Sequence, residues 1–248
     1  MEEVEGLDRL FFELSSDSRL GILRGLGAKG LKMQEIARQL DLTTTDAFRQ
    51  MQRLSEASLI QKQPDGSYTI TQYGKLVLQL SSPLEFILKH RKYFLTHDLF
   101  YLPYQFVNRI GELSGASLSM DSMENVNRAG QMVREAEKYM WGGGPEQPLE
   151  SAGLIAYERA LKGIKFKFLF PEHFLHDHTT LAGTPQNIEW RGLSDIPVTI
   201  VLTENEAGIS FPFIGGKADY AAFIGNDPVF LNWVKDLFIY YWEKGTRL

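Results

Sequence analysis

Thr44, Thr45, Arg49, Gln50 and Arg53 bring two hydroxyls, an amide and two guanidinium groups into one short stretch. On a helix they share the side left open by Ala47, Phe48, Met51 and Leu54, which recur at the spacing of a buried stripe. Such groups hydrogen-bond to phosphate oxygens and base edges when a helix lies in a major groove. Lys62 and Ser67 flank Pro64-Asp65-Gly66, a turn between two β-prone runs, and would carry the same chemistry on a hairpin tip.

These side chains need particular elements to hold them. Met33, Ile36, Ala37 and Leu40 mark one helix. Thr43 is placed to cap a second, running from Thr44 to about Ala57. The hairpin 59–70 follows at once, and a hairpin directly after a helix-turn-helix is a wing. Before the pair, Ser16 or Asp17 can cap a helix that buries Leu20, Leu23 and Leu26 and ends at Gly25, Gly27 and Gly30. After the wing, Thr71-x-x-Gly74 opens a helix expected to stop near Leu80, where Ser81-Ser82-Pro83 breaks the pattern.

Composition sets the bounds. Hydrophobic residues make up 44% and charged residues 23% of 248 positions, enough for a real core and more than one domain. Cysteine is absent, which removes thiol chemistry, disulfides and Cys-ligated metal, and nothing in the chain calls for a cofactor. No run spans a bilayer and the first residues are acidic, so the expectation is a cytoplasmic protein with no membrane partner. The net charge of −5 is unevenly spread: residues 15–80 hold nine Lys and Arg against six Asp and Glu, whereas residues 1–14 hold one against five. The stretch expected to meet DNA is therefore mildly basic, and its affinity should depend on dimerisation and low salt.

Residues 84–97 read as a connecting helix with Phe86, Ile87, Tyr93 and Phe94 on its apolar side, a possible dimer contact, and Lys89 to Lys92 as a solvated basic face. From about Ala116 strands and helices alternate. Strands are expected at 116–120, 139–141, 164–170, 198–202, 208–213 and 220–224. Helices are expected at 123–137, 150–162 and 228–243, the last capped by Asp227 and opened by Pro228. Pro171 to His178 gathers His173, His176 and His178 with two carboxylates at no fixed metal spacing, and reads as a polar loop past a strand end. Gly142-Gly143-Gly144 and Gly216-Lys217 lack phosphate-loop spacing and read as turns. Trp141, Trp190, Phe211, Phe213 and Tyr220 lie near expected strand ends, where aromatics suit a small organic ligand, although core packing is the stronger account of each. Arg134, Lys167 and Arg191 would serve an anionic one.

His97-Asp98-Leu99, Leu102-Pro103, Phe106 and Arg109 to Leu113 resemble a segment of archaeal regulators that join an ArsR-like winged helix to a methanogenesis-regulator (Fil-type) sensor domain. Gly216-Lys217-x-Asp219-Tyr220 and the ending Asp227-Pro228-x-Phe230-x-x-Trp233-x-x-x-Leu237-Phe238-x-Tyr240-Tyr241-Trp242 carry the same resemblance. It implies a ligand-responsive, dimeric transcription factor with a sensor distantly similar to the sugar-sensing TrmB regulators and to phospholipase D folds. Two positions depart from the pattern: Ser58 stands where glycine usually precedes the wing, and Lys32 where a polar cap usually precedes the helix pair. Phospholipase chemistry would use a His-x-Lys pair with a downstream aspartate; the expectation is that the chain lacks this set and is not an enzyme.

The fold expected is α+β: a winged helix-turn-helix at 1–80, a helical connector at 81–115 and an α/β ligand-sensing domain with a mixed sheet at 116–248. The function expected is a regulator whose hold on double-stranded DNA, as a homodimer, is modulated by a small-molecule effector. Its DNA contacts would be Thr44, Thr45, Arg49, Gln50, Arg53, Lys62 and Ser67. Its ligand contacts would come from Arg134, Trp141, His173, Trp190, Arg191, Phe211 and Tyr220, with no metal assigned. The alternatives are a winged-helix protein-interaction module without DNA binding and an enzyme of the phospholipase D fold.

Overall fold

The computed structural model describes residues 6–146, 150–175 and 185–247. The chain divides into two compact units, Met1–Ser82 and Pro83–Leu248. No helix among the described residues is long and apolar enough to cross a membrane.

The first unit runs α1 (Leu7–Leu14), α2 (Asp17–Ala28), β1 (Leu31–Lys32), α3 (Met33–Gln39), α4 (Thr44–Glu56), β2 (Ile60–Lys62) and β3 (Ser67–Ile70), then enters α5 (Gln72–Lys89). The strands form an antiparallel sheet in the order β1-β3-β2. This is a winged helix. Ile22, Leu23, Leu26, Ile36, Met51 and Leu54 are all but inaccessible at its centre. The helix α2 continues past Gly25, one of the glycines expected to end it, because Leu26 is still needed in that core.

The two departures from the family pattern show different adjustments. Ser58 adopts the left-handed conformation, φ 59°, that glycine would occupy freely. Lys32 offers no side-chain acceptor; instead its N–H donates to Glu35 at 2.7 Å, half of a capping box. The Thr-x-x-Gly signal also gains a cause. The Thr71 hydroxyl accepts from the Gly74 N–H at 2.9 Å and lies 2.7 Å from the Ser58 carbonyl, while a Cβ at Gly74 would run into the Leu59 carbonyl.

The helix α5 does not stop at Leu80; it carries Pro83 in its interior. Proline removes one helical hydrogen bond but its φ is helical, and Phe86, one turn beyond, is buried among aromatic rings of the second unit. Residues 91–115 continue as α6 (Arg91–Phe94), α7 (Tyr104–Val107) and a 3-10 turn (Ile110–Gly115), and supply Tyr93, Phe106, Ile110 and Leu113 to the same core.

The rest of the second unit is β4 (Ser117–Ser119), α8 (Ser122–Glu135), β5 (Tyr139–Gly143), α9 (Glu150–Ala160), β6 (Lys165–Pro171), α10 (Glu172–Leu175), β7 (Ile188–Leu193), β8 (Thr199–Thr203), β9 (Ala207–Ser210), β10 (Ala222–Gly225), α11 (Pro228–Lys244) and β11 (Thr246–Arg247). Among the described residues the sheet orders as β11-β7-β6-β5-β8-β9-β10-β4. The pairs β5–β6 and β6–β7 are parallel and the others antiparallel, so the sheet is mixed and the fold class is α+β. The sequence reading passes over β7, although Ile188, Trp190 and Gly192 alternate in the manner of a strand.

Successive side chains of a strand point to opposite faces. Leu169, Ile200, Leu202, Ile209 and Phe223 pack with Trp233, Val234, Leu237 and Phe238 of α11. Phe166, Phe168, Phe170, Met140 and Ile188 pack with Val133 of α8 and with Ala156 and Ala160 of α9. The helix α11 therefore covers one face, and α8 with α9 the other. Two changes around β2 test the first unit by urea denaturation. Gly74→Ala should destabilise it by about 1–3 kcal/mol through the Leu59 clash, and Ser58→Gly should stabilise it by about 1 kcal/mol by removing the left-handed penalty.

Candidate nucleic-acid interface and ligand cleft

Thr43 caps α4 by accepting from the Asp46 N–H at 3.1 Å. Ala47, Met51 and Leu54 then face the core, spaced by four and three residues. Phe48, expected in that stripe, is 54% exposed: it lies one residue, about 100°, past Ala47 and on the flank of the helix. Thr44, Thr45 and Arg49 occupy the outer side, and among the described residues Arg49 reaches only the neighbouring Asp46, at 3.2 Å.

Gln50 and Arg53 are engaged within the protein. Arg53 donates to both Glu13 oxygens, at 2.5 and 3.1 Å, and its guanidinium lies 4.8 Å from the Phe12 ring centre. Arg19 donates to the Phe12 and Glu13 carbonyls, lies 3.2 Å from the Glu13 carboxylate and donates to Gln50 at 2.9 Å. One buried carboxylate thus stands between two guanidinium groups. Burial pushes the pKa of Arg19 down, Glu13 opposes that, and Arg53 adds to it; Arg53 is pushed up, chiefly by its hydrogen bonds to Glu13. Both remain cations at any ordinary pH.

On the wing, Lys62 is exposed, 5.9 Å over the Tyr68 ring. The Ser67 hydroxyl and N–H both donate to Asp65, at 2.7 and 2.9 Å, which holds that carboxylate below its usual range. Thr44, Thr45, Arg49 and Lys62 therefore face outward, while Gln50, Arg53 and Ser67 are held in place.

The residues expected to hold a ligand divide between the two faces of the large sheet. Trp190, Arg134 and Tyr220 line a cleft of about 500 Å³ between the sheet and the helices α8 and α9. Arg191 follows Trp190 in β7 and so faces the other way; it donates to the Trp242 carbonyl at 2.7 Å and lies over the Trp242 ring. Trp141 also faces α11, its ring 5.3 Å from Phe238, with Lys167 above it at 5.2 Å. Phe211 is buried completely beside Phe223, so it is a core residue and not a ligand contact. His173 lies in the short helix α10 after β6 and is not among the residues lining the cleft. His176 and His178 lie outside the described residues.

Sequence reasoning missed most of the cleft. Its floor is one cross-strand row, Trp190–Phe168–Gly142–Val201–Gly208–Ile224. Gly142 and Gly143, read as part of a turn, are strand residues; a Cβ on Gly143 would press on the Leu169 backbone, close to 3 Å from its Cβ. At the rim the Tyr220 hydroxyl donates to Glu146, and burial, then that bond and charge, push the phenol up to about 12. Asn125 donates to the Ser119 and Tyr220 carbonyls at 3.1 and 2.7 Å.

Two segments that carry the family resemblance meet beside this rim. His97 Nε2 lies 2.8 Å from Asp219, its ring stacks on Tyr93 at 3.6 Å, and the Asp98 N–H donates to the Pro212 carbonyl at 2.9 Å. The turn at Gly215-Gly216, both at positive φ, returns the chain from that contact.

No protein-family model matches the chain, and no curated protein matches it. Solved structures do. A structure of TrmBL2, described as an archaeal chromatin protein with a novel mode of DNA binding, is 16% identical over 97% of this chain and 99% of its own, with a TM-score of 0.45. NucT from Helicobacter pylori is 11% identical over 54% of this chain and 98% of its own, TM-score 0.41. Nuc from Salmonella typhimurium, a phospholipase D family member, is 11% identical over 49% and 89%, TM-score 0.40.

The expectation that the chain is not an enzyme is corrected. Enzymes stand among the structures it resembles, with a methyltransferase, SibL, beside the phospholipase D family member. The ground for the exclusion also fails in the sequence, because His90-Arg91-Lys92 is a His-x-Lys. Nor is His90 part of a solvated face: its ring packs 4.9 Å from Phe86 and 5.1 Å from Phe223, and burial, then Lys89, pushes its pKa down.

Two measurements follow from these sites. Glu13→Ala leaves the buried Arg19 without its carboxylate and should destabilise the protein by about 3 kcal/mol in urea denaturation. Tyr220 should ionise near 12 in an alkaline absorbance titration, a step that Tyr220→Phe removes. Because its folded pKa lies above the ordinary value of about 10, this phenol supports folding below that pH and loses its contribution as pH rises toward the folded value.

Proposed function

We propose that the protein is a transcriptional regulator that binds double-stranded DNA as a homodimer and responds to a small molecule held in the sheet cleft. The observation that carries this reading is the outer side of α4: Thr44, Thr45 and Arg49 are exposed, take no part in the core and stand before an exposed lysine on a wing. In this reading Arg49 contacts a base edge or phosphate, Thr44 and Thr45 support it, and Lys62 adds a backbone contact from the wing. Gln50 and Arg53 contribute by fixing the tilt of the helix through Arg19 and Glu13.

A dimer is supported by a second feature. Tyr73, Leu76, Leu80, Leu84 and Ile87 are exposed along α5 at steps of three and four residues, the seam a helix offers to another helix. We assign the resemblance to ArsR-like readers with a Fil-type sensor to the same scheme, with residues 1–80 as reader, 81–115 as connector and 116–248 as sensor in a cytoplasmic protein. A protein-interaction module is the second reading, favoured by the exposed Phe48 ring and by Asp46 and Asp65, whose charges oppose phosphate.

Titrating the full chain against its own upstream DNA across a salt series separates the two. The regulator predicts specific binding that weakens steeply with salt, and Arg49→Ala should cost about 1–3 kcal/mol at fixed salt. Unchanged affinity in that variant would remove Arg49 from the interface, and absence of specific binding would favour the protein partner. Leu80→Glu with Leu84→Glu should turn a dimer into a monomer by light scattering.

A further inference from the structure

The floor of the cleft and the one uncommitted charge on its wall identify the kind of molecule it takes, an inference that rests on reading the cleft as the effector site. Its floor row crosses six strands, from Trp190 on β7 to Ile224 on β10. Five inter-strand steps of about 4.8 Å make that roughly 24 Å. Gly142 and Gly208 leave the middle of the row bare; at Gly208 an added Cβ would meet only Ile224, at 3.8 Å. Trp190 and Phe168 lie at one end, with Val201 and Ile224 beyond the middle. Such a floor offers apolar area along its length, so the body of a ligand that covers it is elongated and apolar.

The wall formed by α8 adds charge. Among the described residues that line the cleft the cations are Arg128 and Arg134, and the carboxylate is Glu146. Arg128 is committed: it lies 2.6 Å from Glu206 and donates to Gln131 at 3.2 Å. Glu146 accepts from the Tyr220 hydroxyl. Lys167 and Arg191 belong to the opposite face of the sheet. Arg134 is exposed and has no ion pair or hydrogen bond among the described residues.

The placement of Arg134 turns that free charge toward the cleft. Asn125, near the start of α8, is bonded to Tyr220 and so marks the Glu146 end; Arg134 stands nine residues further on, roughly 13 Å along the helix. Its guanidinium turns back over Gly130, where an added Cβ would meet only Arg134 Nη1, at 3.8 Å. Gly130 itself lines the cleft, so a bare turn of helix seats the cation on the wall. A guanidinium there presents paired N–H donors to a planar or tetrahedral oxyanion, and their bonds gain strength beside an apolar surface.

We propose that the cleft binds an anionic amphiphile: a carboxylate or sulfonate held by Arg134, on an elongated apolar body laid across the floor, such as a medium-chain fatty acid or a polycyclic aromatic acid. The test uses two fluorescent probes on the full chain. 8-Anilinonaphthalene-1-sulfonate and N-phenyl-1-naphthylamine share nearly the same skeleton and differ in the sulfonate. The sulfonate probe should bind saturably, and decanoate should displace it at about one-tenth of the concentration that decan-1-ol requires. Arg134→Gln, a change at an exposed residue, should weaken the sulfonate probe and decanoate about tenfold and leave N-phenyl-1-naphthylamine unchanged. Arg134→Lys should keep part of the preference for the acid.

Gly208→Leu should weaken both probes by filling the floor, with circular dichroism checking that the variant is folded; should it not fold, the Arg134 series decides alone. Displacement by the alcohol as readily as by the acid overturns the anionic class. A preference for the acid that survives Arg134→Gln overturns Arg134 as its holder. No saturable binding, or binding untouched in folded Gly208→Leu, overturns the site. DNA affinity measured with and without decanoate is a separate arm. A cleft that passes every probe test while DNA affinity stays constant would end the regulator's effector reading and leave the ligand class standing.

Discussion

The period of two along a β-strand governs the second unit. With eight paired strands among the described residues in one sheet, the strands send alternate side chains to α11 and to the pair α8 and α9. Everything chemical about the unit follows from which parity a residue holds. Phe168 and Trp190 meet the cleft, while Lys167 and Arg191, one residue away from each, pack among indole rings under α11. A slip of one residue of β7 against β6 would exchange Trp190 and Arg191, putting a cation into the apolar wall.

The first unit depends on a different constraint, the shared carboxylate of Glu13. Two guanidinium groups from α2 and α4 converge on one acidic side chain of α1, and a ring of the same helix, Phe12, lies against both. A buried charge set of this kind tolerates little displacement, because each cation depends on the same oxygens for compensation. Its effect is to set the angle at which α4 leaves the core, and so which residues the helix shows to solvent. Arg49, one turn nearer the start of the same helix, meets Asp46 instead and stays exposed.

The join between residues 93–98 and 211–219 links two parts of the second unit that are distant in sequence. Tyr93 lies at its centre: its hydroxyl accepts from the Phe211 N–H and donates to the Ala221 carbonyl, while its ring supports His97. Burial pushes this phenol far above its ordinary range, so it stays neutral and keeps donating. Through Asp219 the same contact holds Tyr220 at the rim of the cleft, where it meets Glu146. An aromatic cluster in the core thus positions a polar group at the rim of the cleft.

The winged helix was legible in the sequence because its signals are local: a threonine cap, stripes at helical spacing and an Asp-Gly turn each act over a few residues. Ser58 and Lys32 were visible as departures for the same reason, and the strands and helices of the second unit could mostly be placed from alternation and caps. What the sequence could not decide was the choice of distant partners. Arg53 reads as a free guanidinium until the chain folds back forty residues to bring Glu13 against it. Phe48 reads as core until its neighbours have filled the space. Strand order and register, which turn six residues from Gly142 to Ile224 into a single groove floor, depend on pairings between residues scattered over more than eighty positions. Propensity and capping are properties of a segment, whereas burial, face and charge compensation belong to contacts, and only the tertiary structure decides those.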